Sequence, residues 1–426
     1  VSARGFRALA MFAAGAALLA ALVAWLNVRG EEALVDGAAP PRIADAATLQ
    51  RGAYLARAGN CIGCHTARGG ADYAGGRGIA TPFGTVFAPN LTPDDATGLG
   101  RWTEAEFWRA MHHGRSKDGR LLYPAFPYPS FTQIARADSA ALYAWLRSLP
   151  PVHRPNRAHE LRFAYSSQAA LAVWRALYFR PGTFEPDARE SAEWNRGAYL
   201  VRGLGHCAAC HAERDALGAS RAELRLAGGL IPVQNWYAPP LALADGDAAA
   251  ADFVALLKHG VMDRGTAMGP MAEVVTRSTA FLDDADLRAM ARYLVTLPAP
   301  VPPRPRAEAM TPAARAALEL GRRIYADRCV DCHGKRGEGS GQGQGLLYPP
   351  LAGNPTVMQA PPHNVVKAIL HGGFAPTTPG NPRPAGMPPF APSLSEAEIA
   401  AVASFVRQSW GNRAPAVSPL DVLRVR

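Results

Sequence analysis

The segments CIGCH (61–65), CAACH (207–211) and CVDCH (329–333) each place two thiols three residues apart with an imidazole directly behind. The chain has six cysteines and all six lie in these motifs, so none is left for a structural disulfide or a lone nucleophile. A Cys-x-x-Cys pair alone reads as a redox dithiol or half a zinc site. A zinc site would need a second ligand pair at suitable spacing. Here the pairs stand 146 (207−61) and 122 (329−207) residues apart, and each has its own histidine. Cys-x-x-Cys-His is the pattern of c-type haem attachment. Cys61 and Cys64, Cys207 and Cys210, and Cys329 and Cys332 would form thioethers, and His65, His211 and His333 would be proximal iron ligands. The expected cofactors are three covalently bound haem c.

A haem iron held by His often takes Met on its other side, which raises its potential. The third repeat offers Met387 in GMPPF, 54 residues after His333, in a loop that two prolines stiffen. Its competitor, Met358, comes too early. The second repeat offers Met271 in GPMAEVV, 60 residues after His211, with Met268 as runner-up and Met262 further off. Met290 falls on an amphipathic helix and reads as core. In the first repeat a count of about 60 from His65 reaches Phe126 in YPAFPY, where no thioether is present. Met111 aligns with Leu257 and Leu370, apolar positions of a helix, so packing is its better reading. His112 and His113 have counterparts in Lys258, His259 and His371, which favours a general role at that helix end, or simple exposure. Met111, His112, His113, water or no ligand stay open for the first haem. Each proximal ring should donate its other N–H to a backbone carbonyl; Pro89, Pro239 and Pro349 are the candidate sources, or shape the loops only.

Three repeated frames must position these groups. RGAYL precedes the first two motifs (51–55 and 196–200) and a looser LGRRIY (320–325) the third, each a short helix leading in. A second helix reads from EAEFWRAMHHG (104–114), AADFVALLKHG (250–260) and HNVVKAILHGG (363–373), by apolar residues at helical spacing. A closing amphipathic helix reads from 138–149, 284–297 and 396–410, with Asp138, Asp284 and Ser395 as N-caps or first-turn acids. The expected architecture is all-α: three tandem haem domains at 45–152, 191–300 and 313–411, preceded by an N-terminal membrane anchor at 1–32. A linker at 153–190 contains a helix near 169–179, a Pro-rich linker occupies 301–312, and 412–426 is a C-terminal tail.

Residues 8–28 carry no charge. At 1.5 Å per residue they span roughly 31 Å, the thickness of a hydrocarbon core. An uncleaved transmembrane helix is favoured over a cleaved signal peptide, whose apolar core is shorter. Arg4 and Arg7 ahead of it put the N-terminus in the cytoplasm. Haem attachment calls for the bulk of the chain on the periplasmic side of the bacterial inner membrane, and both signals agree. The composition is globular, with 48% hydrophobic and 19% charged residues. The net charge of +10 is spread without a basic run, and about six haem propionates would offset much of it. That argues against nucleic acid and for a surface that docks partners or anionic lipid.

TPFGTVFAPNLTPD (81–94), DGRLLYPAFPY (118–128), NRGAYLVRGLGHCAACHAERDALGA (195–219), NWYAPPL (235–241), GPMAEVV (269–275) and GMPPF (386–390) resemble the membrane-bound triheme cytochrome c subunits of bacterial periplasmic dehydrogenases. The resemblance runs from about Leu49 to the C-terminus. It implies three class I cytochrome c folds, electron transfer rather than catalysis on this chain, and a dehydrogenase catalytic subunit of molybdenum, flavin or PQQ (quinoprotein) type. The family often has Met in YPAMPY as ligand of the first haem; here Phe126 replaces it. YPAFPY and FRPGTFEPD (179–187) lean towards a molybdenum-hydroxylase partner of the aldehyde or N-heterocycle oxidoreductase type. The expected acceptor is ubiquinone or a terminal oxidase of the respiratory chain. A free-standing respiratory cytochrome fits nearly as well. A peroxidase using an open first haem is the enzyme alternative, against which no distal acid–base set is visible.

Overall fold

Where two helices cross closely, one must present a residue with no side chain, and each of the three frames does so at the same place. A Cβ on Gly52 would sit 2.1 Å from the Ala141 carbonyl oxygen, one on Gly197 1.8 Å from that of Ala289, and one on Gly321 2.2 Å from that of Ala401. The helices so joined are the leading helices Ala46–Ala58, Ala192–Arg202 and Pro312–Arg328 and the closing helices Arg136–Arg147, Asp284–Leu294 and Glu396–Gln408. The structure, a computed structural model, describes residues 3–34, 44–220, 225–243, 246–298, 311–342 and 345–426. It divides into one unit over 1–56, 64–185 and 216–219 and a second over 57–63, 186–215 and 220–426.

In the first unit the leading helix is tied to the closing helix by Arg51, whose Nε donates to Asp138 Oδ1 at 2.7 Å. Asp138 sits in the first turn rather than at the N-cap, which is Ala135. The second helix, Glu104–His113, starts in a capping box between Thr103 and Glu106 and ends at Gly114 in the left-handed conformation. An apolar helix, Ala3–Val28, precedes these elements; it is long and apolar enough to cross a membrane, with a mean hydropathy of 2.3 over 18 residues, and its lipophilic side chains are uncovered. The linker helix expected near 169–179 is found at Gln168–Tyr178, capped by Ser167.

In the second unit the same elements occur twice. The second helices are Asp247–His259 and His363–His371. Arg196 forks onto Asp286 at 2.8 and 2.7 Å, the counterpart of the Arg51 bond. Asp283, not Asp284, is the N-cap of that closing helix, while Ser395 caps the third in a box with Glu398. Asn364 joins the two stretches by reading the backbone of Tyr237 at both N–H (2.9 Å) and C=O (2.8 Å). Of the expected Pro-rich linker, 301–310 lies outside the described residues; Pro312 belongs to the leading helix, at the first turn behind the Thr311 cap, where its missing N–H costs nothing.

The structure is mostly helical, with short strands between the helices. Short antiparallel hairpins, Gly78–Thr81 with Gly84–Phe87, Gly229–Ile231 with Trp236–Ala238 and Ser340–Gln342 with Gly345–Tyr348, follow the three motifs. Strands this short carry no readable alternation. The C-terminal tail 412–426 carries a helix of its own: Ser418 caps the helix Pro419–Val425, and Val417, Val422 and Val425 are buried in the third core with Val366, Leu370 and Ile399.

Alanine at Gly197 would gain about 1 kcal/mol of helix propensity but must push the closing helix away, and overpacking costs about 1–3 kcal/mol or more. The steric term wins: Gly197→Ala lowers the thermal midpoint of the full chain followed by far-UV circular dichroism. A raised midpoint would show that the helices do not cross at this residue.

Candidate haem sites

Each Cys-x-x-Cys-His motif forms one turn of helix: Cys61–His65, Ala208–His211 behind Cys207, and Val330–His333 behind Cys329. Coiling the segment brings both thiols and the imidazole onto a single turn. No disulfide joins the cysteines; Cys64 and Cys210 are exposed, and Cys61, Cys207, Cys329 and Cys332 are half-buried.

The histidines are held from two sides. The ring Nδ1 of His65 lies 2.8 Å from the carbonyl oxygen of Pro89, that of His211 2.7 Å from Pro239, and that of His333 2.9 Å from Pro349. A carbonyl only accepts, so Nδ1 carries the proton and Nε2 keeps its lone pair. Burial draws all three imidazoles below their ordinary pKa, partly offset by these bonds, which favours the neutral ring a metal needs. From the other side, the backbone carbonyls of the same histidines accept N–H bonds from Gly75 (2.7 Å), Gly228 (2.9 Å) and Gly339 (2.9 Å). These glycines have φ of 75°, 89° and 69°. A Cβ there would also meet the proline-loop backbone, at 2.5 Å from the Pro89 carbonyl carbon and 2.7 Å from the Pro350 nitrogen in the first and third repeats. The hairpins explain the arrangement: their second strands end at Phe87, Ala238 and Tyr348, one or two residues before the proline that bonds the ring. Sequence reading named the prolines but missed the glycines, whose shared position behind each motif was the available signal.

The distal candidates are placed differently. Met387 lies on the strand Gly386–Met387, paired with Gly373–Phe374, and is half-buried against the third core, on which Cys329, Val330 and Leu320 also pack. Met271 is half-buried at the start of the helix Pro270–Arg277. Of its rivals, Met268 has its methyl near Gly373, 3.4 Å from where a Cβ there would stand, and Met262 has its methyl near Gly265, 3.0 Å from a Cβ there. Met290 is buried in its helix and Met358 is exposed. In the first unit Met111 is 6% exposed, as Leu257 and Leu370 are 4% and 0%. His112 stacks on Trp108 with ring centroids 4.3 Å apart. Burial pushes His112 down to about 4, and burial with the charges of Arg175 and Arg115 does the same to His113. Phe126 sits in a turn, its ring 5.4 Å from that of Phe131.

These residues fit a covalently attached haem c: paired thiols that no disulfide consumes, an imidazole in the correct tautomer with its second nitrogen available, and in the third repeat a thioether packed on the same core as the motif. The cytochrome c family profile matches residues 49–150 and 318–410. The chain is 40% identical to the cytochrome c subunit of the quinone alcohol dehydrogenase of Gluconacetobacter polyoxogenes, over 90% of this chain and 85% of that protein. It is 36% identical to the gluconate 2-dehydrogenase cytochrome c subunit of Pantoea cypripedii, over 90% of each. It is also 40% identical to a nicotinate dehydrogenase subunit of Pseudomonas putida, over 95% of this chain and 34% of that protein. The chain therefore belongs to the family of cytochrome c subunits of dehydrogenases, as an electron-transfer subunit with covalently bound haem c and not the catalytic chain.

Proposed function

We propose that this chain is a three-haem electron wire, anchored in the bacterial inner membrane with its bulk on the periplasmic side. It would take electrons from a dehydrogenase catalytic subunit and hand them to ubiquinone or a terminal oxidase. Its haem domains are 45–152, 191–300 and 313–411. Cys61, Cys64, Cys207, Cys210, Cys329 and Cys332 are the attachment points, His65, His211 and His333 the proximal ligands, and Met271 and Met387 the distal ligands. Bound haem c supplies a one-electron iron couple.

The observation that carries this reading is the threefold clamp on histidine. The middle repeat, outside the stretches the family profile matches, has the same Nδ1 to proline bond, the same glycine N–H on the histidine carbonyl and the same glycine crossing as the other two. The half-buried place of Met271 directly behind Pro270, at the start of its helix, supports Met271 in its repeat. In the first repeat the buried and stacked state of Met111 and His112 supports a packing role for both.

Retention of the anchor is supported by what its last turn does. Asn27 donates to the Ala172 carbonyl at 2.9 Å, and Arg115 reaches the Asn27 carbonyl and Glu31, both at 3.0 Å. A leader destined for cleavage has no reason to be bonded into the folded body.

For the catalytic partner a molybdenum hydroxylase is favoured by YPAFPY and FRPGTFEPD; quinoprotein and flavoprotein dehydrogenases are the alternatives. Nicotinate is an N-heterocycle, and the relative that carries its name agrees with the first choice.

Extraction of the tagged chain in mild detergent tests the assembly. A stoichiometric partner should come with it, and its molybdenum, flavin or PQQ content names the class. The intact mass of the chain should include three haems and the segment 3–28. A chain that emerges alone would be a free-standing cytochrome, and a mass with two haems would remove one domain from the wire. Met387→Ala should abolish one His/Met spectral signature and lower that centre's midpoint by more than about 59 mV, tenfold in a one-electron equilibrium. Met271→Ala should do the same to another centre and Met268→Ala to none; an effect of Met268→Ala in place of Met271→Ala would reverse that assignment.

A further inference from the structure

The linker helix Gln168–Tyr178 is built inside out. Its inward face carries Leu171, Ala176 and a charged residue, Arg175, which is 3% exposed. Its outward face carries Val173, Leu177 and Tyr178, exposed by 48%, 60% and 38%, with Trp174 half-buried at its edge. The arginine is accommodated: its Nε donates to Asn27 Oδ1 at 2.9 Å, and its guanidinium lies over the rings of Tyr128 (5.0 Å) and Phe179 (4.8 Å). A helix that faces water ordinarily shows the opposite distribution.

The apolar surface continues beyond the helix. Trp174 Nε1 donates to the carbonyl of Leu217, whose side chain is exposed, and a Gly218 Cβ would stand 2.9 Å from Phe83, whose ring lies 4.5 Å from that of Tyr165. Phe163, in the same turn as Tyr165, is 97% exposed. Arg162 and Arg180 flank the patch, both exposed.

What covers this face is indicated by what it is attached to. Asn27 lies in the last turn of the 26-residue apolar helix and bonds the Ala172 carbonyl directly, so the linker helix meets the anchor where that helix leaves the hydrocarbon. Trp25, exposed two residues earlier, is the residue type enriched at that depth. Aromatic and aliphatic side chains outward, with arginines at the edge, are what the headgroup region accepts.

We propose that the helix Gln168–Tyr178 and the turn at 162–166 lie in the headgroup region of the bilayer that the anchor crosses, with Phe163, Val173, Trp174, Leu177 and Tyr178 against lipid. The inference rests on the anchor reading. A single spanning helix lets its cargo swivel and tilt; a second contact, locked to the first through Asn27 and Arg175, holds the first haem repeat at a fixed height and orientation over the bilayer.

Photo-crosslinking in native membranes tests this on the full chain with its partner present. p-Benzoylphenylalanine is placed singly at Val173, Leu177, Leu18 in the anchor and exposed Ser148, and peptide masses are read after irradiation. Phospholipid adducts at Val173, Leu177 and Leu18, at least tenfold above Ser148, are expected. A lipid adduct at Leu18 with none at Val173 and Leu177 overturns the interfacial helix and leaves the anchor standing. Peptide adducts at Val173 and Leu177 would overturn it in favour of a protein partner on that face. Loss of the adduct at Leu18 as well would fail the anchor reading itself. All four sites are exposed, so the substitutions leave the core packing untouched.

Discussion

A hydrogen bond from an imidazole Nδ1–H to a proline carbonyl sets two properties of a histidine at once. It assigns the tautomer, leaving the Nε2 lone pair for a metal, and it stops the ring from turning about its last torsion. In this chain that bond occurs three times, at 2.7–2.9 Å, and much of each repeat can be read as the means of placing the acceptor. Proline supplies a carbonyl on a backbone whose φ is fixed. The hairpin ahead of it sets where the carbonyl arrives, and the left-handed glycine lets the two backbone segments approach without a side chain between them.

The helices supply the second constraint. A stretch of about a hundred residues has only a small core with which to fix its helices against one another. The protein part must then be rigid where it can be. The glycine crossings of leading and closing helices bring two backbones into near contact, and in the first two repeats an arginine–aspartate pair at the helix start adds a fixed register. The third repeat has no such pair among its described residues and instead draws its C-terminal helix into the core, with Arg407 buried and bonded to the carbonyls of Pro415, Val357 and Ala360. One frame is thus stabilised in two ways, by a polar clamp or by additional apolar area.

Relations between repeats also differ from what a linear reading suggests. The second and third stretches share backbone hydrogen bonds through Asn364 and Thr378 and form one compact unit. For electron transfer such bonds matter because they hold neighbouring sites at constant separation, whereas a flexible tether would let it fluctuate.

Much of the chemistry was legible in the sequence because it is local. Cys-x-x-Cys-His puts all its reactive groups within five residues, so no tertiary contact is needed to recognise it. The helices at 104–114, 250–260 and 363–373 announced themselves by period, and the apolar run at 8–28 by composition. What depended on chain segments far apart in sequence was not legible. That Gly52, Gly197 and Gly321 are crossing points is visible only once Ala141, Ala289 and Ala401 lie against them. That Val417, Val422 and Val425 join the third core depends on how the C-terminal helix packs against the closing helix. That the methyl of Met268 lies near Gly373 depends on how two repeats pack. The linker helix carries its lesson in its own sequence, where an arginine stands amid apolar residues, but which face turns inward was decided by Asn27, 148 residues away. Local covalent spacing determined the chemistry; the choice among chemically equivalent side chains was made by steric and hydrogen-bond partners that only the folded chain supplies.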